Sequence, residues 1–191
     1  MQKITSKRIL DLIVVFLALP LITPISVFTF ITIKLTSTGN ALYWSQRVGF
    51  NNQLFSMPKF RTMRVDTPAV ATHLLPNPEQ FLTPVGSFLR RTSLDELPQL
   101  WSVLKGDMSL VGPRPALFNQ DDLMALRVEH GVDKLLPGLT GWAQVNGRDD
   151  LAIAEKVKLD IEYMKNQSIW LDMKIIGITV LKVLGRDGVK H

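Results

Sequence analysis

Two adjacent carboxylates, Asp95 and Glu96, sit in the stretch Arg90-Arg91-Thr92-Ser93-Leu94-Asp95-Glu96-Leu97-Pro98-Gln99-Leu100, and Gly106-Asp107 and Gly112-Pro113-Arg114-Pro115 follow shortly after. Carboxylate oxygens suit a hard cation such as Mg²⁺. A carboxylate can also attack phosphorus itself and form an acyl phosphate. Arginine offers a planar fork that matches phosphate, and phosphoryl transfer needs such charge around its oxygens. Arg114 is stiffened by a proline on each side, Lys59 and Arg61 flank Phe60, and Arg90 precedes the acidic pair by about a turn. The N-terminus carries a long apolar run, so these residue types together point to phosphoryl chemistry on a lipid.

Each residue also has an ordinary structural reading. Glu96 lies three residues beyond Ser93, the spacing of a helix capping box. Asp95 in the first turn of a helix is favoured by the helix dipole alone. Single arginines are most often surface charge. Other chemistries find less support. There is no cysteine, which excludes disulfides and thiolate nucleophiles, and His73, His130 and His191 form no closely spaced ligand pair for zinc. Neither a GxxxxGK[ST] loop nor a GxGxxG motif occurs.

The 191 residues suffice for one domain with a real core, and the net charge of +5 suits an anionic partner: nucleic acid, an anionic bilayer or a phosphorylated substrate. The basic residues are scattered rather than gathered into a stripe with interleaved aromatics, which argues against nucleic acid.

Ile9 to Ile33 is almost uniformly apolar. As a helix this run reaches ~37 Å, enough to cross a bilayer core. It is longer than the apolar part of a signal peptide and has no small-x-small cleavage site. Pro20 and Pro24 remove amide donors near its middle, and the Thr23 hydroxyl can satisfy a freed carbonyl. Lys3, Lys7 and Arg8 before the run favour a cytoplasmic N-terminus. Two topologies follow: a kinked re-entrant segment with both ends in the cytoplasm, or a single span.

Beyond Lys34 the pattern predicts short strands over Ala41–Gly49 and Leu54–Phe60 around an Asn-Asn-Gln turn, then a loop over Val65–Glu79. Helices are predicted over Thr83–Arg91, Asp95–Lys105, Asn119–Glu129, Leu151–Asn166 and Ile169–Leu184, with a glycine-punctuated loop and short strand over Pro137–Arg148. Lys174 and Lys182 of the last helix either rest at a lipid headgroup surface or accompany a helix packed on the core.

Four segments carry a family resemblance: Lys59-Phe60-Arg61-Thr62-Met63, Thr92 to Gln99, Lys105 to Pro115, and Pro137 to Arg148. With Lys7, Arg8 and Asp11 near the start, they resemble the bacterial sugar transferases, the monotopic phosphoglycosyl transferases, in the right order over nearly the whole chain. The resemblance implies an α-rich α/β protein. A re-entrant membrane helix-break-helix over residues 1–37 anchors a small mixed catalytic domain, residues 38–191, with interfacial amphipathic helices. It implies transfer of a sugar-1-phosphate from a UDP-sugar to undecaprenyl phosphate, with release of UMP, at the cytoplasmic face of the bacterial inner membrane. Carried over, Asp95 is the nucleophile and a Mg²⁺ ligand. Glu96 is its partner, handling the proton or orienting the acceptor phosphate. Lys59, Arg90 and Arg114 hold phosphate groups. The helix break falls at Thr23-Pro24, where the family has Ser-Pro. Extra N-terminal spanning helices of larger members are absent from this sequence, which implies the minimal form.

Overall fold

The computed structural model describes residues 6–68, 77–147 and 151–185. Most of the loop expected over Val65–Glu79, and Arg148 of the glycine-punctuated segment, lie outside them.

Helix α1 runs from Ser6 to Thr36 and contains both Pro20 and Pro24. It is long and apolar enough to cross a membrane. The loss of helical structure expected at Thr23-Pro24 is not seen. The prolines are four residues apart, so the two amide donors they remove lie on one face of the helix, and the other rungs continue. Hydroxyls bond back onto the C-terminal half: Thr29 Oγ1 donates to the Ile25 carbonyl and Thr32 Oγ1 to that of Phe28, each at 2.8 Å. Only Asp11, Val15, Thr29 and Ile33 of α1 are buried, while Phe16, Leu17, Leu21, Val27 and Phe28 are exposed.

Both ends of α1 meet the same folded body. At the start, Arg8 donates to the carbonyls of Val103 and Leu104, and the Asp11 carboxylate accepts the Leu110 amide at 3.1 Å. Lys7 Nζ lies 2.6 Å from Asp172 Oδ2 and 3.2 Å from the Tyr163 hydroxyl. At the far end Ile33 packs with Ala41, Phe60 and Leu89, and Arg61 donates to the Ser37 hydroxyl at 2.9 Å.

Strands β1 (Leu42–Val48) and β2 (Leu54–Phe60) form an antiparallel hairpin in the register Leu42↔Phe60 to Val48↔Leu54. Its turn places Asn51 and Asn52 at positive φ, a conformation asparagine tolerates. Helix α2 (Gly86–Arg91) is shorter than predicted. The helix expected over Asp95–Lys105 divides into a 3₁₀ helix, Leu94–Gln99, and α3, Leu100–Lys105. Pro98 is the cause: it has no amide to donate and disfavours α geometry at the residue before it.

Strand β3 (Ser109–Val111) pairs in parallel with β5 (Gly138–Thr140), and β4 (Ala116–Leu117) adds to the open edge of β1. Helix α4 (Asp121–Glu129) follows β4, and α5 (Trp142–Asn146), α6 (Ile153–Asn166) and α7 (Ile169–Gly185) come after it. Val15, Val103, Met108, Val111, Tyr163 and Ile175 share the main core. Lys182 donates to the Val145 carbonyl at 2.9 Å and Lys174 lies over the Trp142 ring, so both lysines pin α5 instead of reaching for headgroups.

Glycines set how closely β3 and β5 approach. A Cβ on Gly138 would collide with the backbone of Gly112, and one on Gly141 with the Gly112 carbonyl. The Gly138 amide donates to the Pro113 carbonyl at 2.9 Å, so this contact fixes the entry to Pro113-Arg114-Pro115. Gly138→Ala is expected to cost about 1–3 kcal/mol by overpacking a backbone that cannot yield. A lowered thermal midpoint in detergent is the expected reading; an unchanged midpoint would show that β5 can move aside.

Candidate active site

The 3₁₀ helix carries the acidic pair, and its geometry separates the two side chains. Successive residues in such a helix are about 120° apart, so Asp95 and Glu96 project in different directions. The turn into it places Ser93 at φ 55, and the Glu96 amide donates to the Ser93 carbonyl at 3.2 Å. Ser93 makes no side-chain cap. The capping-box reading of Glu96 is therefore set aside, because its carboxylate is taken elsewhere.

Glu96 Oε1 accepts Lys59 Nζ at 2.8 Å and Arg114 Nη2 at 3.1 Å. Lys59 comes from β2, and Arg114 from the proline-flanked turn between β3 and β4. One carboxylate oxygen thus joins three segments distant in sequence. Burial works against the charge on Glu96, but Lys59 and Arg114 outweigh it and hold the carboxyl well below its usual range.

Asp95 behaves in the opposite way. It is buried, and among the described residues its carboxylate accepts no hydrogen bond. Burial first, and the charge of Glu96 second among the opposing groups, push it up to about 6, against the pull of Lys59, Arg90 and Arg114. A carboxylate without hydrogen bonds, facing three cations, keeps its lone pairs for an incoming group. Arg90, on α2, donates through Nε to Thr62 Oγ1 at 3.0 Å. All five residues singled out for chemistry, Lys59, Arg90, Asp95, Glu96 and Arg114, therefore share one electrostatic neighbourhood. Thr23 and Pro24 lie on α1, both exposed.

Residues beyond the sequence reading support the site. The Arg114 carbonyl accepts Arg127 Nη1 at 2.8 Å, and the next carbonyl, of Pro115, accepts Arg47 Nη1 at 3.3 Å. Arg127 in turn is paired with buried Asp160, at 2.7 and 3.0 Å from one oxygen. The two successive carbonyls that follow the Arg114 side chain are held by guanidinium groups. No local spacing announces these partners, since Arg127 and Asp160 are 33 residues apart.

The match to the bacterial sugar transferase model extends over residues 1–186. The chain belongs to the bacterial sugar transferase family. It is 41% identical over 97% of its length to the uncharacterized sugar transferase EpsL of Bacillus subtilis, covering 90% of that protein. It is 40% identical to the UDP-glucose:undecaprenyl-phosphate glucose-1-phosphate transferase of Escherichia coli over 92% of this chain and 39% of that one. The undecaprenyl-phosphate galactose phosphotransferase of Salmonella typhimurium is 38% identical over 95% of this chain and 41% of its own length. The chain thus spans about two fifths of the length of these two larger members, and most of EpsL.

The donor set bears on a metal. Among the described residues no three Asp, Glu or His side chains converge on one point. With Glu96 committed to cations, Asp95 remains as a single carboxylate. That set fits Mg²⁺, which commonly takes one or two carboxylates and completes its shell from waters and substrate phosphates. It does not fit a dedicated protein cage.

Asp95 also bears on stability. A raised carboxyl destabilises the folded state wherever it is ionised, so the penalty develops as pH rises from the ordinary value of 3.8 to about 6 and then stays constant. Asp95→Asn should stabilise the protein at pH 7.5 in EDTA by about 1–3 kcal/mol, read as a higher thermal midpoint. The gain should vanish near pH 4. Equal midpoints for both proteins at pH 7.5 would show that the three cations fully compensate burial.

Proposed function

We propose that this chain transfers a sugar-1-phosphate from a UDP-sugar to undecaprenyl phosphate through a phosphosugar intermediate on Asp95. The observation that carries this reading is the contrast within the acidic pair. Glu96 is locked between Lys59 and Arg114 and held ionised, whereas Asp95 is buried among cations with no hydrogen bond among the described residues. The names of the Escherichia coli and Salmonella typhimurium relatives supply the substrate class.

In the first step an Asp95 oxygen attacks the phosphorus that bears the sugar. The bond from that phosphorus to the bridging oxygen breaks, and UMP leaves with the bridging oxygen. In the second step a phosphate oxygen of undecaprenyl phosphate attacks the same phosphorus and releases the Asp95 carboxylate. The product is the sugar-bearing polyprenyl diphosphate. Arg90, Lys59 and Arg114 face the phosphate oxygens on which charge accumulates. Glu96 fixes the directions of Lys59 and Arg114; its low proton affinity makes it an orienting group rather than a proton carrier at neutral pH. Asp95 would hold Mg²⁺ together with substrate phosphates, and the ion would neutralise charge on the leaving phosphate. No side chain in the described site identifies the sugar.

The same reading places the chain on the cytoplasmic face of the inner membrane with α1 re-entrant. A helix whose two ends both pack on one folded body, while its exposed middle carries Phe16, Leu17, Leu21 and Phe28, suits a segment that dips into one leaflet and returns. The one-sided loss of hydrogen bonds at Pro20 and Pro24 lets that middle bend.

Three measurements test the proposal. Intact protein mass after incubation with a UDP-sugar alone should rise by one phosphosugar in the unmodified protein and not in Asp95→Asn. UMP release at the normal rate by Asp95→Asn would overturn the nucleophile. EDTA should stop UMP release and Mg²⁺ restore it; undiminished turnover in excess chelator would remove the metal. A cysteine placed at Gln2, in a chain that has no other, should react only with membrane-permeant reagents added to intact cells. Labelling of that position from the periplasmic side would show a spanning helix.

A further inference from the structure

Of the three cations around Asp95, two are tied to Glu96. Lys59 Nζ and Arg114 Nη2 both donate to Glu96 Oε1. Arg90 is held differently. Its Nε donates to Thr62 Oγ1 at 3.0 Å, and among the described residues its two terminal nitrogens make no hydrogen bond. An arginine fixed through Nε alone presents an end-on fork, the arrangement that grips two phosphate oxygens at once.

Thr62 is built to hold that fork. It is buried, directly follows Arg61, and lies three residues beyond Lys59. Its carbonyl accepts the Thr83 amide at 2.9 Å and the Thr83 hydroxyl at 3.3 Å. A Cβ on Gly86 would collide with the same carbonyl, so the start of α2 is seated directly on Thr62. The end of α2 then returns to it through Arg90. One threonine therefore fixes both the helix that carries Arg90 and the direction of the Arg90 side chain. Burial of the Arg90 guanidinium adds to the effect, since a half-sequestered cation whose terminal nitrogens have no hydrogen bond among the described residues gains most from an incoming anion.

We infer that Thr62 is a positioning residue that aims the Arg90 fork at a substrate phosphate beside Asp95. The inference rests on the reading of the site as a phosphoryl-transfer centre. The phosphate gripped belongs either to the nucleotide-sugar or to the polyprenyl acceptor, and the test separates the two.

Thr62→Val keeps the shape of the side chain and removes the acceptor for Arg90 Nε. Thr62→Ser keeps the acceptor. Loss of a hydrogen bond to a charged group corresponds to about a ten- to hundredfold effect, so Thr62→Val should lose that much in kcat/KM for UMP release, with Thr62→Ser within a few fold of the unmodified protein. A larger effect on the KM for the UDP-sugar assigns the fork to the nucleotide; a larger effect on the KM for undecaprenyl phosphate assigns it to the acceptor. In an Arg90→Ala background Thr62→Val should cost nothing more, because the group it aims is gone. The same loss in both backgrounds, or full activity of Thr62→Val, would overturn the inference. Calorimetry with inorganic pyrophosphate reads the site without turnover: affinity should fall alike in Thr62→Val and Arg90→Ala, and hold in Thr62→Ser. Pyrophosphate binding that is equal in all four proteins, or absent from the unmodified one, would overturn the inference even if UMP is released. Binding that follows the expected order in a protein that releases no UMP would instead sink the transferase reading and leave Thr62 in its role.

Discussion

One carboxylate oxygen holds the site together. Glu96 Oε1 receives both Lys59 and Arg114, and through them joins the β1–β2 hairpin, the 3₁₀ helix and the turn between β3 and β4. A partly buried anion such as Glu96 that loses one of two cationic partners leaves a poorly compensated charge. The three segments are therefore committed to one relative arrangement, and Asp95, the residue before Glu96, takes its position from that commitment. Lys59 and Arg114 donate to Glu96, and among the described residues Asp95 accepts no hydrogen bond.

The outer supports follow the same logic. Arg114 is held from behind by Arg127 through its own carbonyl and by Arg47 through that of Pro115, and Arg127 is held by Asp160 on α6. The close approach of Gly112 to Gly138 and Gly141 sets the height of the turn. Charge and backbone packing thus act together: the glycines decide where the turn lies, and the arginines decide which way it faces.

Much of this was legible in the chain, and the exceptions have physical causes. The hairpin announced itself through the Asn51-Asn52 turn between two short apolar segments, and α4, α6 and α7 through helical spacing. The acidic pair and its cations stood out by residue type. Strands β3 and β4 did not, because three and two residues are too few to show alternation. Helix α5, five residues between two glycines, fell within a stretch that read as a loop and short strand. The capping-box spacing of Ser93 and Glu96 was sound local reasoning, but two cations brought in by the tertiary fold compete for the same carboxylate and win. Lys182 offered a choice between lipid and protein, which the bare Val145 carbonyl at the end of α5 decides.

The polar cluster at the start of α1 has a consequence for biosynthesis. Lys7 must find Asp172, 165 residues later, and Tyr163, 156 residues later. Helix α1 is made well before α7, so Lys7 has no Asp172 to pair with until α7 has been made. Closure over so long a separation is slow by nature. Under the proposed topology, the bilayer would hold α1 in place while the residues up to α7 are synthesised. The bilayer would thus act as a template for folding well before it supplies a substrate.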